Sequence, residues 1–192
     1  MNFKFTYIVV VVLLLPQHAL SHGGRTNSEG CHNNRKSWPH WTDEDGDCQN
    51  TRAEILIRDS HRPVKFKRNK GCSVSWGLWK GPYTGKVMNK ASDLDIDHIV
   101  PLSHAHKTGG VGWSRSQKRQ FANDPQNLLA VDDSTNQAKG DKSPARWKPP
   151  SESYWCEYAT RWRGVKRKYG LSISAPEKRS LRVMERECRE PH

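Results

Sequence analysis

From Asp93 to Leu102 the chain reads Asp-Leu-Asp-Ile-Asp-His-Ile-Val-Pro-Leu, three acids and a histidine within six residues. Ile96, Ile99 and Val100 favour an extended strand, on which successive side chains point to opposite faces. Asp95 and Asp97 then share one face and His98 projects from the other. Pro101 has no N–H to give a sheet ladder, so the strand must stop near His98 and leave the imidazole at a strand end. Taken alone, the stretch is equally satisfied by a charged edge strand with a solvated histidine.

A second stretch narrows the choice. Leu128 to Val131 is a short apolar run suited to a buried strand, and Asp132 to Ser134 supply helix-capping side chains directly after it. Gly140 is a natural stop for the helix that follows. A strand ending in Asp-x-Asp-His, a second strand entered through Asn127, and a short helix carrying Asn136 together resemble the HNH nuclease family, whose core is a ββα-metal unit. The ending Asn136-x-x-Lys139-Gly140-Asp141 is similar to that of HNH nucleases. From about Trp38 to Cys188 the chain resembles secreted HNH-family proteins, through Pro39-His40-Trp41, Pro82-Tyr83-Thr84-Gly85 and Phe121-Ala122-Asn123-Asp124.

The resemblance implies an α+β fold, with a ββα-metal (HNH) core embedded in a single disulfide-stabilised domain that ends in helices. It implies His98 as general base, Asp97 and Asn136 as metal ligands, and Asn127 as the residue that orients the histidine loop. The residue chemistry agrees. A histidine with an ordinary pKa near 6.5 is a neutral base at physiological pH, and a carboxylate and an amide carbonyl are hard oxygen donors for Mg²⁺ or Mn²⁺. Where many HNH proteins carry histidine as the last ligand this chain has Asn136, which moves the expectation from Zn²⁺ to Mg²⁺. Asp95 reads as a second ligand or as a supporting group. Lys139 and Asp141 read equally as pins for the helix and as phosphate contacts.

The rest of the chain supports an exported domain. Lys4, the apolar run Ile8 to Leu15, Pro16 and the small residues Ala19 and Ser21 read as a signal peptide over residues 1–21. Eight apolar residues are too few for a span, which needs about 20. Residues 22–37 read as a flexible polar tail, and residues 38–192 as the nuclease domain. Lysine and arginine number 32 against 20 acids, a net charge of +12 that favours polyanions without choosing among them. Five cysteines in an exported chain read as structural disulfides with one left over. Cys48, Cys72, Cys156 and Cys188 match positions that recur in the secreted HNH proteins, which implies bridges Cys48–Cys72 and Cys156–Cys188 and leaves Cys31 spare.

Along the domain, the sequence predicts a helix over Arg52 to Arg58 capped by Asn50 or Thr51, and strands at Val64 to Phe66 and Ser73 to Trp76. A turn-rich aromatic stretch from Gly77 to Gly85, a polar loop from Ser103 to Gly112 and a helix from about Ser114 to Phe121 follow. On that helix Arg115, Lys118 and Arg119 share one face, a candidate phosphate clamp. Trp155, Tyr158, Ala159, Trp162, Val165 and Tyr169 recur at helical spacing, and Ser174 with Pro176 opens a last helix. His104 and His106 are left outside the site. The reading is a monomeric, secreted endonuclease of low sequence specificity acting on DNA, with RNA as a second substrate. The competing class is a non-catalytic basic protein that binds polyanions.

Overall fold

The computed structural model describes residues 37–188. The signal sequence, the tail up to residue 36 and Cys31 lie outside the described residues. The architecture is mixed α+β and is organised about one two-stranded hairpin. Strand β4 (Leu94–His98) pairs antiparallel with β5 (Leu128–Asp132) in unbroken register, with Asp95 opposite Val131, Asp97 opposite Leu129 and His98 opposite Leu128.

Every residue of β5 is buried, because the strand is covered on both faces. Leu128 and Ala130 join a core cluster with Ile55, Leu56, Val74, Trp79, Met88, Leu94 and Ile96. Leu129 and Val131 join a second, aromatic cluster built on Trp38, Tyr83, Phe121, Tyr158 and Trp162. The hairpin is therefore the partition between two cores. Directly paired residues share a face of the sheet, so Asp95 and Asp97 look toward the aromatic cluster and His98 toward the other.

The first cluster is closed by helix α1 (Thr51–Arg58) and a three-stranded antiparallel sheet of β1 (Lys65–Phe66), β2 (Val74–Lys80) and β3 (Val87–Lys90). Asn50 caps α1, its side chain accepting from Ala53 N, and Ile55 and Leu56 are driven inward. The far half of β2 falls within the stretch read as turn-rich, and β3 lies where the sequence reading placed no element. Gly77 is why β2 can continue: a Cβ there would stand 2.6 Å from the Trp79 ring, which is buried with its indole N–H on Leu56 O.

Beyond the hairpin come α2 (Leu102–Lys107), α3 (Arg115–Ala122) and α4 (Asp133–Lys139). The expected Ser103–Gly112 loop is helical in its first half, since Leu102 and Ala105 pack into the aromatic cluster and supply the stability that so short a helix lacks. Helices α5 (Trp155–Lys168) and α6 (Ala175–Met184) cover the same cluster. The α5 stripe packs as core, with Tyr158, Ala159, Trp162 and Val165 buried. Disulfides join Cys48 to Cys72 and Cys156 to Cys188, the pairing that the resemblance implied.

Candidate functional site

The site is best built from the strand β4 outward. His98 closes the strand, half-buried, with Nε2 2.8 Å from Ala122 O. A carbonyl only accepts, so Nε2 carries a proton in this contact. Trp41 lies against the imidazole in a near-parallel stack, 5.8 Å between ring centres. Its φ of 56° is in the left-handed region that non-glycine residues seldom occupy. Asn123 holds this segment in place, donating to Pro39 O at 2.9 Å and accepting from Thr42 N at 3.2 Å. Two phrases of the sequence, Pro39-His40-Trp41 and Phe121-Ala122-Asn123, thus meet around one histidine. Trp41 and the Ala122 carbonyl were not among the sequence candidates, and no local signal could pair them with a residue 57 or 24 positions away.

Asn127 is completely buried and spends its side chain on the turn after His98. Its Oδ1 accepts from Val100 N at 2.8 Å and its Nδ2 donates to Val100 O at 3.2 Å, while its own carbonyl accepts from Ile99 N. The chain past His98 is thereby fixed by three hydrogen bonds to one residue.

On the other face of β4 the carboxylates divide. Asp97 is 4% exposed, and both of its oxygens are engaged: Oδ1 accepts from Lys139 Nζ at 2.8 Å and Oδ2 from the Tyr83 hydroxyl at 2.6 Å. Burial pushes the Asp97 carboxyl up, opposed by the Lys139 charge and by both hydrogen bonds. Burial likewise lowers the Lys139 ammonium, and drives the Tyr83 phenol far up. Lys139 is completely buried and also donates to His98 O at 2.9 Å. It pins α4 to the end of β4, one of the two roles that the sequence allowed for it.

Asn136, one turn earlier on α4, reaches Asp95 rather than Asp97, with Nδ2 3.0 Å from Oδ2. Asp133 opens the same helix and also interacts with Asp95. Burial is the main reason the Asp95 carboxyl lies above its usual range; the Asn136 hydrogen bond and the Arg52 charge oppose the shift, and Asp133 adds to it. Two carboxylates pressed together beside an amide form an oxygen-only donor set, and their mutual repulsion is what a hard cation relieves. Asp95, Asp133 and Asn136 therefore fit a divalent ion. Asp97, with both oxygens committed to buried partners, fits it poorly. Among the described residues, one group of three acids has its ligand atoms within 4.8 Å of one another: Asp43, Asp45 and Asp47, all exposed.

The proposed clamp on α3 is mixed. Arg119 is already paired with Glu44, Nη2 to Oε2 at 2.6 Å, and Lys118 Nζ lies 5.9 Å from the centre of the Trp38 ring. Arg115 is exposed. His104, left out of the site, is structural: its ring contacts Glu177 and Lys166 beneath α6.

The strand pair and following helix of this α+β domain gather a histidine, two asparagines and three aspartates. The chain belongs to the family of the GmrSD restriction endonucleases, C-terminal domain, whose pattern matches residues 51–183. Over 156 residues it is 46% identical to an uncharacterized secreted protein of Arthroderma benhamiae, a match covering 80% of this chain and 74% of that protein. No solved structure matches. Among the described residues no helix is long and apolar enough to cross a membrane.

Proposed function

We propose that the chain is a secreted endonuclease that hydrolyses DNA phosphodiester bonds, with RNA as a second substrate, and that β4, β5 and α4 form its ββα-metal core. The observation that carries the reading is His98, set at the end of β4 with Nε2 donating to the Ala122 carbonyl, which fixes the direction of the imidazole. His98 takes a proton from water. The water oxygen forms a bond to phosphorus, and the bridging phosphorus–oxygen bond breaks with its electron pair on the departing oxygen. Asn127 keeps the turn behind His98 rigid, so the imidazole holds its direction. Asn136 with Asp95 and Asp133 would hold the divalent ion, Mg²⁺ first and Mn²⁺ second, which when bound neutralises charge on the phosphate. Asp97, expected from sequence as a ligand, serves in this reading as the buried counter-ion that locks α4 against β4. The charge of +12 supplies binding to phosphate with little preference for base sequence, and the protein acts as a monomer.

The test uses the oxidised protein, supercoiled plasmid, and either Mg²⁺ or EDTA. Nicking and linearisation are expected with Mg²⁺ and none with EDTA, and His98→Ala should lose hydrolysis while still binding DNA. Cleavage by His98→Ala at the wild-type rate would remove His98 from the mechanism. Binding without cleavage by the wild type under all metals would leave the polyanion-binding protein as the reading.

A further inference from the structure

We infer that the surface where the three-stranded sheet meets α1 is a second nucleic-acid subsite, where Trp76 stacks on an unpaired base of a DNA strand whose phosphates contact Lys65, Lys67 and Lys90. The inference rests on the nuclease reading above and names where its substrate extends.

Trp76 is 49% exposed in a strand whose neighbours Val74 and Trp79 are 6% and 1% exposed. Strict alternation would put Val74 and Trp76 on one face. Two register shifts prevent this, one between Val74 and Trp76 and one between Trp76 and Trp79, and together they turn Trp76 outward while Val74 and Trp79 stay in the core. In the resulting register Trp76 stands directly opposite Lys65 on one side and Lys90 on the other. Paired residues have their Cβ atoms about 5 Å apart, so a large aromatic face is bracketed by two exposed ammonium groups.

Beside the indole lies a recess of about 310 Å³, lined by Arg52, Lys67, Ser75, Trp76, Lys90 and Ser92 among others, and no carboxylate lines it. That volume is at the lower end of ligand sites, roughly 300 to 1,000 Å³, and suits a single base. A π face with cations on either side and hydroxyls at the rim is the chemistry that holds single-stranded nucleic acid irrespective of sequence. A base must be unpaired to stack there. The recess also adjoins the proposed centre. Arg52 lines it, donates to Ala91 O and Leu94 O at 3.1 and 2.8 Å, and acts on the Asp95 carboxyl through its charge. From Leu94 to His98 is about 13 Å of extended strand, so DNA bound at one place reaches the other.

The experiment measures anisotropy of a labelled short single-stranded DNA and of a blunt duplex, on the His98→Ala background. Trp76→Ala should raise the single-strand Kd about tenfold and Trp76→Phe should restore most of the loss, with duplex affinity changed less than about twofold. Lys65→Ala and Lys90→Ala should each flatten the single-strand salt slope by about 0.7. An unchanged Kd for Trp76→Ala, an equal loss on duplex, or a Phe variant as weak as the Ala variant would overturn the subsite. Failure of the wild type to cleave would instead count against the nuclease reading, since binding is measured without cleavage.

Discussion

The Asp97–Lys139 pair offers the most direct check on how the hairpin and helix are held together. Lys139→Met removes the ammonium and leaves a carboxylate 4% exposed, whose remaining partner is the Tyr83 hydroxyl at 2.6 Å. Breaking a buried pair by removing one member costs about 3 to 5 kcal/mol, because the other charge stays desolvated. Since Tyr83 still serves one oxygen, a loss near 3 kcal/mol is expected, and urea unfolding with an m value of about 2 kcal/mol/M converts it to a midpoint lower by about 1.5 M. Asp97→Asn should cost a similar amount, leaving the Lys139 ammonium, completely buried, with His98 O as its remaining partner. In the double variant Asp97→Asn with Lys139→Met neither charge of the pair remains. Its loss should be smaller than the sum of the two single losses by about 2 kcal/mol, within the range found for side chains in contact. The three variants and the wild type are unfolded in urea at pH 7 with the disulfides intact. Additive losses, or a loss below about 1 kcal/mol for Lys139→Met, would refute the idea that this pair is a desolvated lock between α4 and β4.

Three further outcomes follow from the geometry. Asp95→Asn should raise the Mg²⁺ concentration for half-maximal cleavage at least about tenfold, whereas Asp97→Asn should lower stability and leave that concentration near the wild-type value; a metal titration of plasmid nicking reads both. Asn127→Ala leaves Val100 N and O unpaired in a buried turn, at about 1 to 3 kcal/mol each, and thermal unfolding should show the loss together with reduced cleavage. Glu177 is 2% exposed; burial works to raise its carboxyl, but hydrogen bonds from His104 and Ser174 and the Lys166 charge outweigh it and hold the group well below 4.5. A depressed folded pKa gives stability that is present above pH 4.5 and lost as the pH falls below it, so Glu177→Gln should flatten the acid limb of a stability curve below about pH 5.

Much of the local structure was legible because its signals lie within a few residues of one another. The Asp-x-Asp-His alternation and Pro101 define β4 and its end, Asp132 and Gly140 bound α4, Asn50 and Ser174 cap α1 and α6, and the three-and-four spacing from Trp155 defines the α5 core stripe. The short helix at Leu102 and the strand at Val87 were not legible, since neither is long enough to show a period, and packing against distant residues stabilises them. Which partner each functional side chain takes was decided by the tertiary structure alone. Asp97 and Asp95 are equivalent by alternation, yet the one opposite Leu129 falls beneath Lys139 and Tyr83 while the one opposite Val131 meets Asn136 and Asp133. Sequence determines that two carboxylates share a face. Only the fold, by burying one beside Lys139 and leaving the other partly open, decides which becomes a buried counter-ion, because desolvation is a property of the surroundings and not of the residue.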